Sequence, residues 1–256
     1  MRNLFVGLLS LSLIGIAGCK KSEQQAKTET QEQVQAVDPA IAATISGKIK
    51  FEGTAPKPKM IQVTADAYCS KQHEKAQIAS EEVVVNNNKT LSNVLVYVKK
   101  GLEGKTFAAP KESVVLNQHG CWYEPHVVAV MVNQPLVVRN GDDTLHNIHA
   151  MPKINQGFNF AQPAKGMEST KTFDKEELVI PVKCDVHSWM GGYIGVLSHP
   201  YFAVTGKDGS FSLKNLPPGE YEIEAWHEKY GVKSMTVKVG EKESKTADFT
   251  FKPGAM

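Results

Sequence analysis

The sequence predicts an all-β protein, on three observations. No stretch shows long helical periodicity. Short runs rich in Val, Ile, Phe and Tyr alternate apolar with polar residues, as half-buried strands do. Turn sequences such as Asn86-Asn87-Asn88-Lys89, Asn140-Gly141-Asp142-Asp143 and Gly206-Lys207-Asp208-Gly209 separate these runs. The formal net charge of +2 is small and the basic residues are scattered, so nothing marks a nucleic-acid surface. A glycine-rich phosphate loop and a convincing Ser/His/Asp pattern are both absent from the sequence.

Residues 1–18 read as a signal peptide. Arg2 supplies a basic start, Leu4 to Ile16 is apolar, and the span is short with no stop-transfer pattern. Its end, Ile16-Ala17-Gly18-Cys19, resembles the lipobox of bacterial lipoproteins. That resemblance implies cleavage before Cys19, acylation of Cys19 and anchorage to a membrane through the lipid. Lys20 rather than Asp follows, which resembles the default outer-membrane destination of Gram-negative lipoproteins, facing the periplasm. Residues 19–43 are expected to form a flexible tether, because Gln, Glu, Lys, Thr and Ser dominate the stretch up to Ala36 and leave little to bury.

Residues 44–90 form an N-terminal β region. Ile45, Ile49 and Phe51 fall on one side of a strand, a Pro-containing loop follows, and Ile61 to Val63 restarts a strand. Asp66 to Lys75, with Cys69 and His73, fits a loop or one helical turn. Glu81 to Val85 and Ser92 to Val98 read as strands.

Residues 91–199 contain the chemistry. Val114 to Leu116, His126 to Val132 and Leu136 to Arg139 are short strands, and the Asn140 turn delivers Thr144 to Ala150. If that piece is extended, His146 and His149 point to opposite faces and cannot both serve one mononuclear metal. Farther on, Leu178, Ile180, Val182 and Cys184 recur at every second position and share a strand face. Pro181 marks that strand as an edge or as locally irregular. Lys183-Cys184-Asp185-Val186-His187-Ser188-Trp189-Met190 then places a thiolate, an imidazole and a thioether on one loop, before Gly191-Gly192 turns the chain into Tyr193 to Leu197. Cys184 alone reads as a small buried hydrophobe and Met190 alone as a gap filler. Together with His187 on one strand-end loop they point to a metal. The softness of these donors suits copper, with His146 as the second imidazole.

The Asn140 turn, His146-Asn147 and Cys184-x-x-His187-x-x-Met190 resemble the cupredoxins, and the short Cys-to-Met spacing is similar to that of amicyanin-like members. The resemblance spans about Leu91 to His199 and implies a Greek-key sandwich holding one type 1 copper. It implies His146, Cys184 and His187 as equatorial ligands and Met190 as the axial one, with Asn147 bracing the cysteine loop. Trp189 is expected to shield the metal or to form part of a docking surface. Binuclear copper domains need a second bridging cysteine shortly before the first, and Ile180 stands there instead. Residues 151–172 depart from the pattern as an insertion-like stretch. The implied function is one-electron transfer to a redox protein such as a cytochrome, with no enzymatic reaction.

Residues 200–256 read as a further β unit. Thr205-x-x-Asp208-Gly209-x-Phe211-x-Leu213 and Leu216-Pro217-Pro218-Gly219-x-Tyr221 resemble the transthyretin-like, carboxypeptidase-regulatory sandwiches, a fold similar to that of some carbohydrate-binding modules. Ile45 to Gly53 looks like the first strand of that family, so one sandwich could be assembled from both ends of the chain around the copper domain. Trp226 and His227 read as packing and surface residues rather than a sugar platform.

If Cys19 is acylated and Cys184 binds copper, Cys69 and Cys121 remain, and an oxidising compartment favours a disulfide between them. The other reading is a second metal site from Cys69, His73, Cys121 and His119 or His126. Two further functions stay open at this level: copper delivery or sequestration, and a structural or carbohydrate-binding lipoprotein.

Overall fold

The computed structural model describes residues 32–33, 38–63, 66–74 and 78–253. The expected signal peptide, the Cys19 acylation site and most of the tether lie outside these residues. Among the described residues no helix is long and apolar enough to cross a membrane.

The chain is all-β, with one short helix, Ala67–Gln72, among the described residues. Two strand pairs, Glu32–Gln33 with Lys105–Thr106 and Met60–Ile61 with Ile78–Ala79, stand apart, and the other strands form two sandwiches. In the first, one sheet runs in the order Glu168–Lys171, Leu136–Asn140, Val114–His119, Trp122–Glu124. The facing sheet runs Phe158–Gln162, His146–Ala150, Glu177–Lys183, Gly191–Leu197, Val127–Met131. Leu116, Val130, Leu136, Val138, Ile148, Ile180 and Ile194 fill the space between them.

The second sandwich has one sheet in the order Phe202–Val204, Leu95–Lys100, Gly219–His227, Gly231–Val239. In its other sheet Ala43–Phe51 lies between Ser210–Leu216 and the two short strands Ser244–Thr246 and Phe249–Phe251. Residues from both ends of the chain therefore share one core, in which Ile45, Ile49, Phe51, Val96, Leu213, Ile223 and Phe251 are buried together.

Leu95–Lys100 departs from the boundary expected at residue 91. It pairs antiparallel with Phe202–Val204 and with Gly219–His227, not with the strands of the first sandwich. Its apolar run has a physical explanation: Val96 and Val98 face the second core, while Leu95 and Tyr97 face Val127 and Leu197 of the first sandwich. A strand buried on both faces carries no alternation. Gly195 permits this close approach, since a Cβ there would lie 2.7 Å from Leu95 Cδ2.

Three other expectations are corrected. Residues 151–172 are not an insertion. They contain Phe158–Gln162, paired with His146–Ala150, and Glu168–Lys171, paired with Leu136–Asn140, and so extend both sheets. Leu178 does not share a face with Ile180, because a register shift between Glu177 and Ile180 turns it toward the inter-sandwich cluster. Glu81 to Val85 forms no strand beyond the single bridge Val85 to Leu91, although Val83 and Val85 still pack on the second core.

Candidate metal centre

The His146–Ala150 and Glu177–Lys183 strands lie side by side, with His149 opposite Lys183. That register brings the first residue of one strand and the loop after the other to the same end of the sandwich. The loop closes tightly: Cys184 N donates to Met190 O at 3.1 Å, and Met190 N donates to His187 O at 2.9 Å. Pro181 sits inside the sheet rather than on an edge, at the point where pairing with the histidine strand ends. Its carbonyl accepts from Met151 N at 3.0 Å.

Asn140 shapes the turn that carries His146. Its Nδ2 donates to Thr144 O and Gln162 O, both at 2.8 Å, and its Oδ1 accepts from Asp142 N at 2.9 Å. Asn147 joins the His146 strand to the Cys184 loop, since its Oδ1 accepts from Asp185 N at 3.0 Å, and its Nδ2 donates to Asn159 Oδ1 at 2.7 Å. Tyr123 donates its hydroxyl to Asn147 O from the facing sheet.

His146 Nδ1, His187 Nδ1 and Cys184 Sγ converge. The nitrogens are 3.1 Å apart, and the sulfur lies 3.8 Å from His187 Nδ1. The three donors sit within 4.8 Å of one another and are buried, with exposures of 0, 1 and 2 % for His146, His187 and Cys184. His187 N donates to Cys184 Sγ at 3.3 Å. Met190 is buried in the same apolar cluster as Cys184. His149 points away and pairs with Asp185 at 3.1 Å. Trp189 is half-buried, its ring centroid 5.0 Å from that of His187, and its Nε1–H donates to Cys121 O at 3.2 Å.

Burial opposes ionisation of the Cys184 thiol. Hydrogen bonds from His146, from His187 and from the backbone amides of His187 and Asn147 outweigh it and bring the thiol down to about 6. Burial likewise disfavours the charged forms of His146 and Asp142, but their mutual contact at 2.9 Å dominates. It raises the imidazole and holds the carboxyl below its usual range.

Asp142 was legible in the sequence only as a turn residue, and Asp66 not at all as a site residue. Each carboxylate faces the outer nitrogen of one histidine: Asp142 Oδ2 is 2.9 Å from His146 Nε2, and Asp66 Oδ2 is 3.5 Å from His187 Nε2. A histidine four residues after an acidic turn residue was the available signal for Asp142. Asp66 lies far away in sequence and had none.

The donor set fits copper. Without a metal the inner nitrogens share protons with the Cys184 sulfur. A cation taking the place of those protons would meet two Nδ1 lone pairs and a thiolate, the outer N–H groups being held by the carboxylates. Two imidazoles, a thiolate and a nearby thioether form a soft set that suits copper, whereas a thioether is not among the usual ligands of zinc.

Cys69 and Cys121 form a disulfide, with their Cα atoms 5.9 Å apart. The alternative second metal site is thereby excluded, because both thiols are consumed. His73 instead bonds Gly120 O at 2.8 Å, and His126 pairs with Glu228. The bridge spans 52 residues and contributes about 4 kcal/mol in the chain-entropy account.

Residues 201–251 match the family model described as the BOS complex subunit NOMO1-like, second beta sandwich domain. The matched stretch omits Ala43–Phe51 and Leu95–Lys100, which complete that sandwich here. No curated protein matches the chain. Among solved structures, it is similar to a Cu-containing nitrite reductase from Thermus scotoductus SA-01, with 21% identity over 36% of this chain and a TM-score of 0.31. The match spans 24% of the reductase chain. A reduced, Cu(I) form of an amicyanin point mutant matches at 20% identity, with 34% of this chain, 84% of its own and a TM-score of 0.30. A purple cupredoxin from Nitrosopumilus maritimus matches at 20% identity, with 33% of this chain, 97% of its own and a TM-score of 0.28.

Proposed function

We propose that this protein is a mononuclear type 1 copper protein that carries single electrons at the bacterial envelope, held to the outer membrane by a lipid on Cys19. The observation that carries this reading is the buried convergence of His146 Nδ1, His187 Nδ1 and Cys184 Sγ beside Met190. Bound copper would supply one-electron redox chemistry. His146, Cys184 and His187 would hold it, with the Met190 thioether as a further soft donor nearby. The residues around them do the rest. Asn140 and Asn147 fix the ligand segments, and the apolar cluster excludes water, so the ligands stay in place as the charge changes.

Burial of all three donors disfavours ready exchange of the ion, which supports electron carriage over copper delivery or sequestration. Leu145 and Val186, 40 and 49 % exposed, precede His146 and His187 directly. They offer an apolar contact for a redox partner such as a cytochrome. Trp226 packs against Tyr193 between the sandwiches, at 5.1 Å, which weakens the reading of the second sandwich as a sugar platform.

The test is addition of Cu(II) to the wild-type protein and to Cys184→Ser, followed by visible absorption and electron paramagnetic resonance. An intense thiolate-to-copper band with a narrow hyperfine splitting, abolished by Cys184→Ser, is expected. A wild-type protein that stays colourless and takes up no stoichiometric copper would sink the reading.

A further inference from the structure

The disulfide is linked to both histidines through two carboxylates. On one arm, Cys121 N donates to Asp142 Oδ2 at 2.8 Å, and that same oxygen lies 2.9 Å from His146 Nε2. Gly120 N donates to the other oxygen of Asp142 at 2.9 Å. On the second arm, Cys69 N donates to Asp66 Oδ1 at 2.8 Å, and Asp66 Oδ2 is 3.5 Å from His187 Nε2. The bridge joins the two arms, and its Cys69 sulfur is 3.9 Å from His187 Nε2.

The local backbone is built for this. Gly120 and Cys121 both have φ of +62°. Consecutive amides in such a turn converge on one anion. A non-glycine residue adopts this region at a cost of about 1–3 kcal/mol and persists there only where its surroundings hold it. For Cys121 those surroundings are the disulfide and Asp142. On the other arm Asp66 caps the helix Ala67–Gln72, which contains Cys69.

We propose that Asp142, Asp66 and the Cys69–Cys121 disulfide form one outer frame that orients both histidines and biases bound copper toward its divalent state. This rests on the copper reading above. A carboxylate on the outer N–H of a ligating histidine fixes the ring and its tautomer and makes the inner nitrogen a stronger donor. A stronger donor and added negative charge favour the more highly charged ion. Asp142 is the main positioning residue, being buried and in close contact. Asp66 is partly exposed and its contact is longer, so its share is smaller.

The test compares the full-length wild-type protein with Asp142→Asn, Asp66→Asn and the paired Cys69→Ala/Cys121→Ala, measuring Cu(II) and Cu(I) affinity and reduction potential. Asp142→Asn should weaken Cu(II) binding by about 10- to 100-fold with a smaller loss for Cu(I). Each tenfold selective loss raises the potential by about 59 mV. Asp66→Asn should act in the same direction and less. The paired cysteine variant should also raise the potential, and adding Asp142→Asn to it should give less than the sum of the two effects. A metal-free readout separates this proposal from the copper reading. In the apoprotein, the His146 Nε2 proton should be visible by nuclear magnetic resonance and slow to exchange. That protection should be lost in Asp142→Asn and weakened in the cysteine pair. Failure of the wild-type protein to take up copper would end the copper reading and the divalent bias, while the proton readout still decides the frame. A cysteine pair that lowers the melting temperature but leaves potential and proton exchange unchanged would overturn the frame and reduce the disulfide to a staple.

Discussion

His227 in the second sandwich and His146 in the first are both almost fully inaccessible, at 1 and 0 % exposure. Their surroundings differ. His227 lies beside Tyr230 and Phe251, at 4.8 and 6.1 Å between ring centroids, and its Nδ1 accepts from Lys229 N at 3.0 Å. Among the described residues no carboxylate hydrogen-bonds to it, and burial, with the charge of His126 adding to it against that of Glu82, pushes its pKa down to about 4. His146 has Asp142 on one nitrogen and Cys184 and His187 near the other, and its pKa moves the opposite way. Burial without a bonded carboxylate silences a histidine. Burial with a carboxylate behind it and a thiol in front keeps the ring polar and oriented, as the proposed ligand role requires. Trp226 and His227, read from the sequence as packing and surface residues, are both packing residues: Tyr230, three residues on, and Phe251, from the last strand, cover His227.

The contrast can be broken most forcefully through the second core. Phe251 is fully buried there, and Phe251→Ala should cost about 3–5 kcal/mol by urea denaturation. The copper spectrum of the folded variant should be unchanged. A lost charge-transfer band in that variant would mean that the two sandwiches are not independent supports.

A second, smaller effect sharpens the contrast between the histidines. Unfolded His227 titrates near 6.5 and native His227 near 4, so on acidification the unfolded state binds the proton first. Its contribution is complete above the unfolded value and is lost between about 6.5 and about 4, amounting to about 3 kcal/mol. Denaturation at pH 7 and pH 4.5 should show most of that loss in the wild-type protein, and His227→Phe should remove this part of the dependence. An equal pH dependence in the variant would place the acid-sensitive group elsewhere.

The smallest effect compares two carboxylates of the first sandwich. Glu177 accepts from Lys153 N, Ile154 N and Asn155 N at 2.5, 3.1 and 3.0 Å, without a histidine. Although burial opposes its ionisation, those amides hold its pKa below the usual range. Glu177→Gln should cost about 1–3 kcal/mol at pH 7 and leave copper binding intact. Because the native pKa is depressed, the difference from wild type should vanish as pH falls through that native value. Altered copper affinity in Glu177→Gln would show that gathering backbone amides, and not contact with a histidine, is what matters to the metal end.

The legible parts of this protein are local ones. Cys184, His187 and Met190 fall within one loop, so their chemistry could be seen before any fold was known. His146 required only the Asn140 turn and the period of a strand. The strands that were missed, Phe158–Gln162 and Glu168–Lys171, are five and four residues long, the second wholly polar, and they lie on edges that the two sheets offer. Pro181 misled in part, because pairing on one side of its strand stops where the proline begins.

The residues by themselves determined the all-β class, since strand period and turn chemistry act within a few positions, and they determined the kinds of donor that can meet a metal. Only tertiary structure decided that Ala43–Phe51 and Leu95–Lys100 join the C-terminal strands, because backbone hydrogen bonds between strands carry no trace in sequence separation. It alone brought Asp66 and Asp142 behind the two histidines. A disulfide and a pair of capped turns can collect groups from anywhere in a chain, and their alignment is a property of the packed molecule.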